Sequence, residues 1–187
     1  VTEYLATGLG DHPGQLKIDL EHDELPFKEG SLDLVMCLDV LEHIENIHTI
    51  FDKLCKISGK YVLISLPNPW RSFWEYMESK PYNNDTNIKF YGLPLERAED
   101  RHKWFFSATE ARNFIEYRSK KNDYYIIDTY VINEKSKGLP EGNKLKDRLR
   151  RMLKQIARKI LFREGVNFSD LYEGTLWFLL QKNSTRI

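Results

Sequence analysis

The chain has 187 residues, 41% hydrophobic and 13% aromatic, with 28 basic residues against 28 acidic ones. That length and apolar content suit one folded domain with its own core and exclude a disordered chain. No apolar run approaches the ~20 residues of a membrane-spanning helix, and no signal peptide is visible. Cys37 and Cys55 lack metal-ligand spacing and read as reduced core thiols, which fits a cytoplasmic protein.

At the amino end, Tyr4 to Ala6 lean apolar and lead into Gly8-Leu9-Gly10. A glycine turn that cradles a nucleotide opens a helix. Here Asp11-His12-Pro13-Gly14 follows, and Ile18-Asp19-Leu20 arrives at once. Val1 to Leu9 is therefore expected as a strand and Gly10 to Gly14 as a loop. Leu25-Pro26-Phe27 is a turn that packs the next loop down. Leu32, Leu34, Val35, Met36, Cys37 and Leu38 form a nearly continuous apolar run, as expected of a parallel strand buried on both faces.

Asp39 ends that run. Val40, Leu41, Ile44, Ile47, Ile50, Phe51, Leu54 and Ile57 then recur at helical spacing, which predicts a helix from Val40 to Ile57 stopped by Gly59. Tyr61 to Leu66 is a second buried strand, ended by Pro67 and Asn68. Strand, helix and strand in this order make a parallel crossover unit, and ligands of such sheets sit at the carboxyl ends of the strands. Asp39, Glu42, His43 and Asn68 stand there. Asp39 can cap the following helix or face a ligand, and both can hold. His43 can serve as a base or be a packed, hydrogen-bonded histidine.

The strings LPF, SLDLVMCLDVLEHI and YVLISLPNP resemble the class I S-adenosylmethionine-dependent methyltransferases, in the group with a Leu-Glu-His motif after the fourth strand. The resemblance runs from about Asp19 to Asn68 and continues more weakly beyond. It implies an α/β fold, a doubly wound, mostly parallel sheet with an antiparallel last strand. It implies S-adenosylmethionine as cofactor and no metal. In the family pattern Val1 to Leu9 corresponds to the second strand, so the first strand, its glycine-rich turn and the first helix are expected to be missing. The resemblance places Asp19 and Leu20 at the adenine, Leu38 and Asp39 at the methionine end, and Asp11 nearest the usual ribose-binding acid, with a loose match. For Asp19 a turn-capping role is the alternative.

Pro69 to Lys103 is long and aromatic, with Trp70, Phe73, Trp74, Tyr76, Tyr82, Phe90 and Tyr91. Long loops in compact domains are usually functional, and this one leaves the carboxyl end of a strand. A lid at about 69–103 that also forms the acceptor pocket is expected, with a small aromatic satellite core as the alternative. Asn68, Trp70 and Arg101 are candidate substrate residues. His102, like His43, is a candidate base, since a histidine can take a hydroxyl proton near neutral pH; a structural polar cluster under the lid is the other reading. YGLP followed by DRHKWFF resembles methyltransferases found among cell-surface glycan genes, so a small-molecule or glycan-like acceptor is implied, lipid-linked in one version.

Ser107 followed by Glu110 is a capping box that opens a helix running to about Ser119. Tyr124 to Ile132 and Thr175 to Leu180 read as the last two strands, an antiparallel pair interrupted by a helical insertion at about 134–172. From Lys144 to Arg163 nine Lys or Arg face the single acid Asp147, a net +8, so the remainder carries −8. Leu145, Leu149, Met152, Leu153, Ile156, Ile160 and Leu161 form one apolar stripe of a basic amphipathic helix. Such a helix can dock on its own domain, lie on an anionic membrane surface or meet an acidic partner. No nucleic acid is expected. The whole is read as one methyltransferase-like domain over 1–187, cytoplasmic, with peripheral contact at the inner face of the membrane through 144–163 as one reading. A non-catalytic binding or scaffold module that kept the sheet is the rival.

Overall fold

A computed structural model describes residues 3–73, 90–93, 95–98, 100–132, 149, 152–153, 156 and 173–183. About half of the expected lid and nearly all of the basic insertion lie outside the described residues. Two short parallel strands open the chain, β1 (Ala6–Gly8) and β2 (Gln15–Lys17). The expected strand over Val1 to Leu9 contracts to three residues, and the Ile18-Asp19-Leu20 segment lies just past the end of β2. Gly8 is part of β1, and no helix intervenes before β2, so Gly8-Leu9-Gly10 opens no helix.

The main sheet has four strands in the order β3-β4-β6-β5: β3 (Leu32–Leu38), β4 (Ser58–Leu66), β5 (Tyr124–Ile132) and β6 (Thr175–Lys182). β3 and β4 run parallel, with Val35 opposite Val62 and Cys37 opposite Ile64. β6 is antiparallel to both β4 and β5, pairing Ile64 with Phe178 and Trp177 with Tyr130. This is the mostly parallel sheet with an antiparallel last strand that the sequence predicts.

Two helices cover one face, α1 (Ile47–Ile57) and α2 (Ala108–Lys121). One core joins Val35, Cys37, Val62, Ile64, Leu176 and Phe178 of the sheet to Phe51 and Leu54 of α1 and Ile115 of α2. β3 is not buried on both faces. Val35 and Cys37 point into that core, whereas Leu34 and Met36 are each 45% exposed. Side chains alternate along a strand, and among the described residues both helices lie on the same side.

The helix predicted from Val40 to Ile57 is broken. A 3-10 turn occupies Leu41–His43, and α1 begins only at Ile47. Asp39 is not a helix cap. It holds a left-handed φ of 51°, a conformation in which Asp is among the few side chains tolerated. Its amide donates to Ser65 Oγ at 2.9 Å, and Ser65 Oγ donates to Asp39 Oδ1 at 2.8 Å. The strand end is thus locked to β4 rather than to a helix. Gly59 does not stop α1 either: the helix ends at Ile57, and Gly59 is already in β4. A Cβ there would sit 2.6 Å from the carbonyl oxygen of Gly30, so glycine permits that close approach.

Ser107 caps α2 as predicted. Its side chain accepts from Glu110 N at 3.2 Å, and its own amide donates to Glu110 Oε2 at 2.7 Å. The helix runs two residues further than Ser119, to Lys121. Among the described residues no helix is long and apolar enough to cross a membrane.

Candidate functional site

The carboxyl ends of β3 and β4 meet at the Asp39–Ser65 lock, and the 3-10 turn follows directly. A turn of three residues leaves little room for a solvent-facing polar side chain and an apolar anchor in regular alternation. Leu41 drops into the core, and Glu42 beside it is also buried, 1% exposed. The backbone carbonyl of Glu42 accepts from Lys103 N at 2.8 Å, which ties the turn to the segment carrying His102.

Three side chains converge there. Glu42 Oε1 lies 3.7 Å from His43 Nε2 and 4.0 Å from His102 Nε2. The two imidazole rings meet edge to face at 4.4 Å between centroids. Each ring is fixed through its other nitrogen. His43 Nδ1 lies 2.7 Å from Asp100 Oδ1, and His102 Nδ1 lies 2.6 Å from the Tyr91 hydroxyl. Phe90 stacks on His102 at 4.3 Å with its plane 11° away. The other carboxylate oxygen of Glu42 is buried and has no hydrogen-bond partner among the described residues.

This environment shifts the groups in it. Burial pushes the Glu42 carboxyl up to about 8, and the neighbouring Asp39 and Asp100 charges push the same way. Burial pulls His102 down to about 4, reinforced by His43. Burial also raises the Tyr91 hydroxyl. A buried carboxylate, two oriented histidines and a tyrosine form the kind of perturbed cluster that marks functional sites.

The other candidates divide. Asn68, buried at the end of β4, donates through Nδ2 to Glu173 O at 2.8 Å, and its Oδ1 accepts from Trp70 N at 3.2 Å. It therefore braces the segment after β4. Trp70 packs edge to face on Phe105 at 5.1 Å, and Arg101 is half-buried beside His102. Leu38 and Leu20 are half-buried, and Leu20 packs on the core. Asp19 is turned into its own loop: Oδ1 accepts from Glu21 N at 2.9 Å, and Oδ2 lies 2.9 Å from His22 Nδ1. His22 holds the Asp19 carboxyl below its usual range. That loop reaches the start of α1 through Glu21, which accepts from Glu45 N. Asp11 is exposed, with the exposed Lys17 beside it at 3.2 Å.

The sequence reading placed Glu42 at a strand end but gave it no role. Buried glutamates are rare without a partner, and the apolar residues keep helical spacing from Val40 to Ile57, so no local signal marks Glu42 as turning inward. Asp100 and Tyr91 lie 57 and 11 residues from their histidines, so no local spacing could reveal them.

Residues 6–61 match the methyltransferase domain family, a match that spans β1 to β4 and includes the Leu41-Glu42-His43 turn. Over that stretch the chain is similar to methyltransferase domains. A candidate S-adenosylmethionine dependent methyltransferase from Listeria monocytogenes is 14% identical, with a TM-score of 0.52 over 95% of this chain and 78% of that one. Magnesium protoporphyrin IX methyltransferase from Synechocystis PCC 6803, with bound SAH, is 14% identical with a TM-score of 0.46, over 92% of this chain and 52% of that one. The small RNA methyltransferase HEN1 is 12% identical with a TM-score of 0.47, over 83% of this chain and 14% of that one. The chain thus spans about half or less of the length of those last two proteins. No curated protein sequence matches it.

S-adenosylmethionine is the family's cofactor, and part of its cradle is testable on these residues. Asp39 fits: its left-handed backbone and the Ser65 bond hold a carboxylate, itself exposed, at the mouth of the sheet. Such an acceptor suits an ammonium group. Asp19 sits at the end of its strand but spends both oxygens on its own turn.

Proposed function

We propose that this methyltransferase transfers a methyl group from S-adenosylmethionine to an oxygen of a small-molecule or glycan-like acceptor, lipid-linked where the basic segment 144–163 meets a membrane surface. The observation that carries the reading is the Glu42–His43–His102 cluster at the carboxyl end of a parallel strand, beside Asp39. When bound, S-adenosylmethionine supplies an electrophilic methyl group. The protein's own residues then do three things. Asp39 and Leu38 position the methionine end of the cofactor at the strand mouth. His43 and His102 present Nε2 atoms, held in place by Asp100 and Tyr91, that fix one acceptor oxygen for in-line attack. The acceptor hydroxyl gives up its proton at this cluster as its oxygen bonds to the methyl carbon and the carbon–sulfur bond breaks.

Isothermal titration of the full-length protein with S-adenosylmethionine and with S-adenosylhomocysteine tests the cofactor half. Saturable, mutually competitive binding that falls in the Asp39→Ala variant is expected. Absence of binding to either compound would overturn the enzyme reading and leave the scaffold module. Asp39→Asn is the gentler variant, since it retains the bond from Ser65 while removing the charge.

Lipid-linked acceptors draw support from the described residues of the basic segment. Leu149, Met152, Leu153 and Ile156 are helical and about half exposed. An apolar stripe left open on a basic helix suits an anionic interface.

A further inference from the structure

The cluster has more donors than a proton relay needs. One ligand atom from each of Glu42, His43 and His102 lies within 4.8 Å of the others. Ligand atoms of a tetrahedral zinc site with bonds of about 2.1 Å stand roughly 3.4 Å apart. The distances of 3.7 and 4.0 Å from Glu42 to the two histidines are a few tenths of an ångström longer than that, a gap that small rotations of the side chains close.

Three further features favour a cation over a bare polar knot. Both histidines are held through Nδ1, by the Asp100 carboxylate and the Tyr91 hydroxyl, so in the matching tautomer the lone pair is on Nε2 in each ring. That arrangement, with an outer carboxylate or hydroxyl fixing the ring and an inner nitrogen left to donate, recurs around metal-bound histidines. Second, a buried polar oxygen left without a partner is a place where an ion can bind. Glu42 is 1% exposed, and its second oxygen has no hydrogen-bond partner among the described residues. Third, among the described residues Glu42 has no Lys or Arg partner in an ion pair; His43 and His102 lie 3.7 and 4.0 Å from it. Two imidazoles and one carboxylate form a donor set for a first-row divalent ion rather than for magnesium or calcium, which prefer oxygen.

We propose that Glu42, His43 and His102 bind one first-row divalent cation such as Zn²⁺, with a remaining position open to water or to an acceptor oxygen. Use of the ion in methyl transfer deepens the acceptor-oxygen reading above and rests on it. An ion there would bind the acceptor oxygen directly and make its proton easier to lose. Binding of the ion itself stands on the three side chains alone.

The test uses the full-length protein freed of metal, with Zn²⁺ alone followed by titration calorimetry and Co²⁺ alone followed by visible absorption. One ion per chain is expected, with the intense visible bands of a low-coordinate cobalt site. His43→Gln and His102→Gln should each weaken binding at least about tenfold and remove those bands, and Tyr91→Phe should weaken it less, by about tenfold at most. Glu42→Gln should behave as the histidine variants do; if it fails to fold by circular dichroism, the histidine variants decide. His12→Gln, on an exposed loop, should leave binding unchanged. Equal Zn²⁺ binding by wild type and both histidine variants, or no saturable binding by wild type, would overturn the site. Zn²⁺ binding is read without cofactor or acceptor, so its failure leaves the cofactor result standing, and the reverse also holds.

Discussion

Gly59 shows how one missing methyl group sets an inter-strand distance. A Cβ at this position would meet the Gly30 carbonyl oxygen at 2.6 Å, a backbone atom that cannot swing aside. Gly59→Ala should therefore destabilise the domain by about 1–3 kcal/mol, read as a lower urea midpoint with an unchanged slope. Cys37 and Cys55 behave oppositely to reactive thiols. Burial pushes both up to about 12, so at pH 8 roughly one thiol in ten thousand is ionised. Neither should be alkylated by iodoacetamide in the native protein, and both should be after unfolding in urea. Fast native labelling of either would contradict their burial. Asp39 and Glu42 are where residue-level reading of the sequence fell short. An aspartate after a strand and before a helical pattern can cap the helix or face a ligand, and the sequence places Glu42 at the strand end without a role. The left-handed turn at Asp39 and the inward turn at Glu42 go with contacts to Ser65 and His102, which lie far along the chain, and to His43 within the same 3-10 turn.

At the scale of elements, the strand pair β3 and β4, the capped helix α2 and the β5–β6 pair were legible because each is written in local period and turn chemistry. Ser107→Ala should cost about 1 kcal/mol, since it removes one half of a reciprocal capping box. Thermal or urea unfolding reads that directly, and an unchanged midpoint would mean the cap is redundant. What was not legible is which face of β3 is covered. An apolar run of six residues signals burial without saying on how many sides, and Leu34 and Met36 remain half exposed here. The basic segment 144–163 carries a prediction of its own. Full-length protein should co-sediment with vesicles containing anionic lipid and not with neutral ones, and salt should release it, because each basic residue near such a surface contributes on the order of 1 kcal/mol and is screened. Replacing Arg150, Arg151, Lys154 and Arg158 with Gln should abolish the difference; equal binding to both lipids would leave the segment without a membrane role.

Across the whole molecule, the sheet order β3-β4-β6-β5 brings the ends of β3 and β4 together with the segment 90–106, and every group of the candidate site comes from that junction. The family match over 6–61 covers the end of β3 and the 3-10 turn. His102, Tyr91 and Asp100 come from beyond the matched stretch. Methyl donor and acceptor are therefore expected to meet where β3 ends. The most direct measurement is amide chemical-shift mapping of the full-length ¹⁵N-labelled protein on adding S-adenosylhomocysteine. Saturable shifts at Leu38, Asp39 and Val40 and at Asp19 and Leu20, with Tyr124 to Ile132 unmoved, are the predicted result. Shifts confined to other parts of the sheet, or none at all, would contradict a cofactor seated at the end of β3.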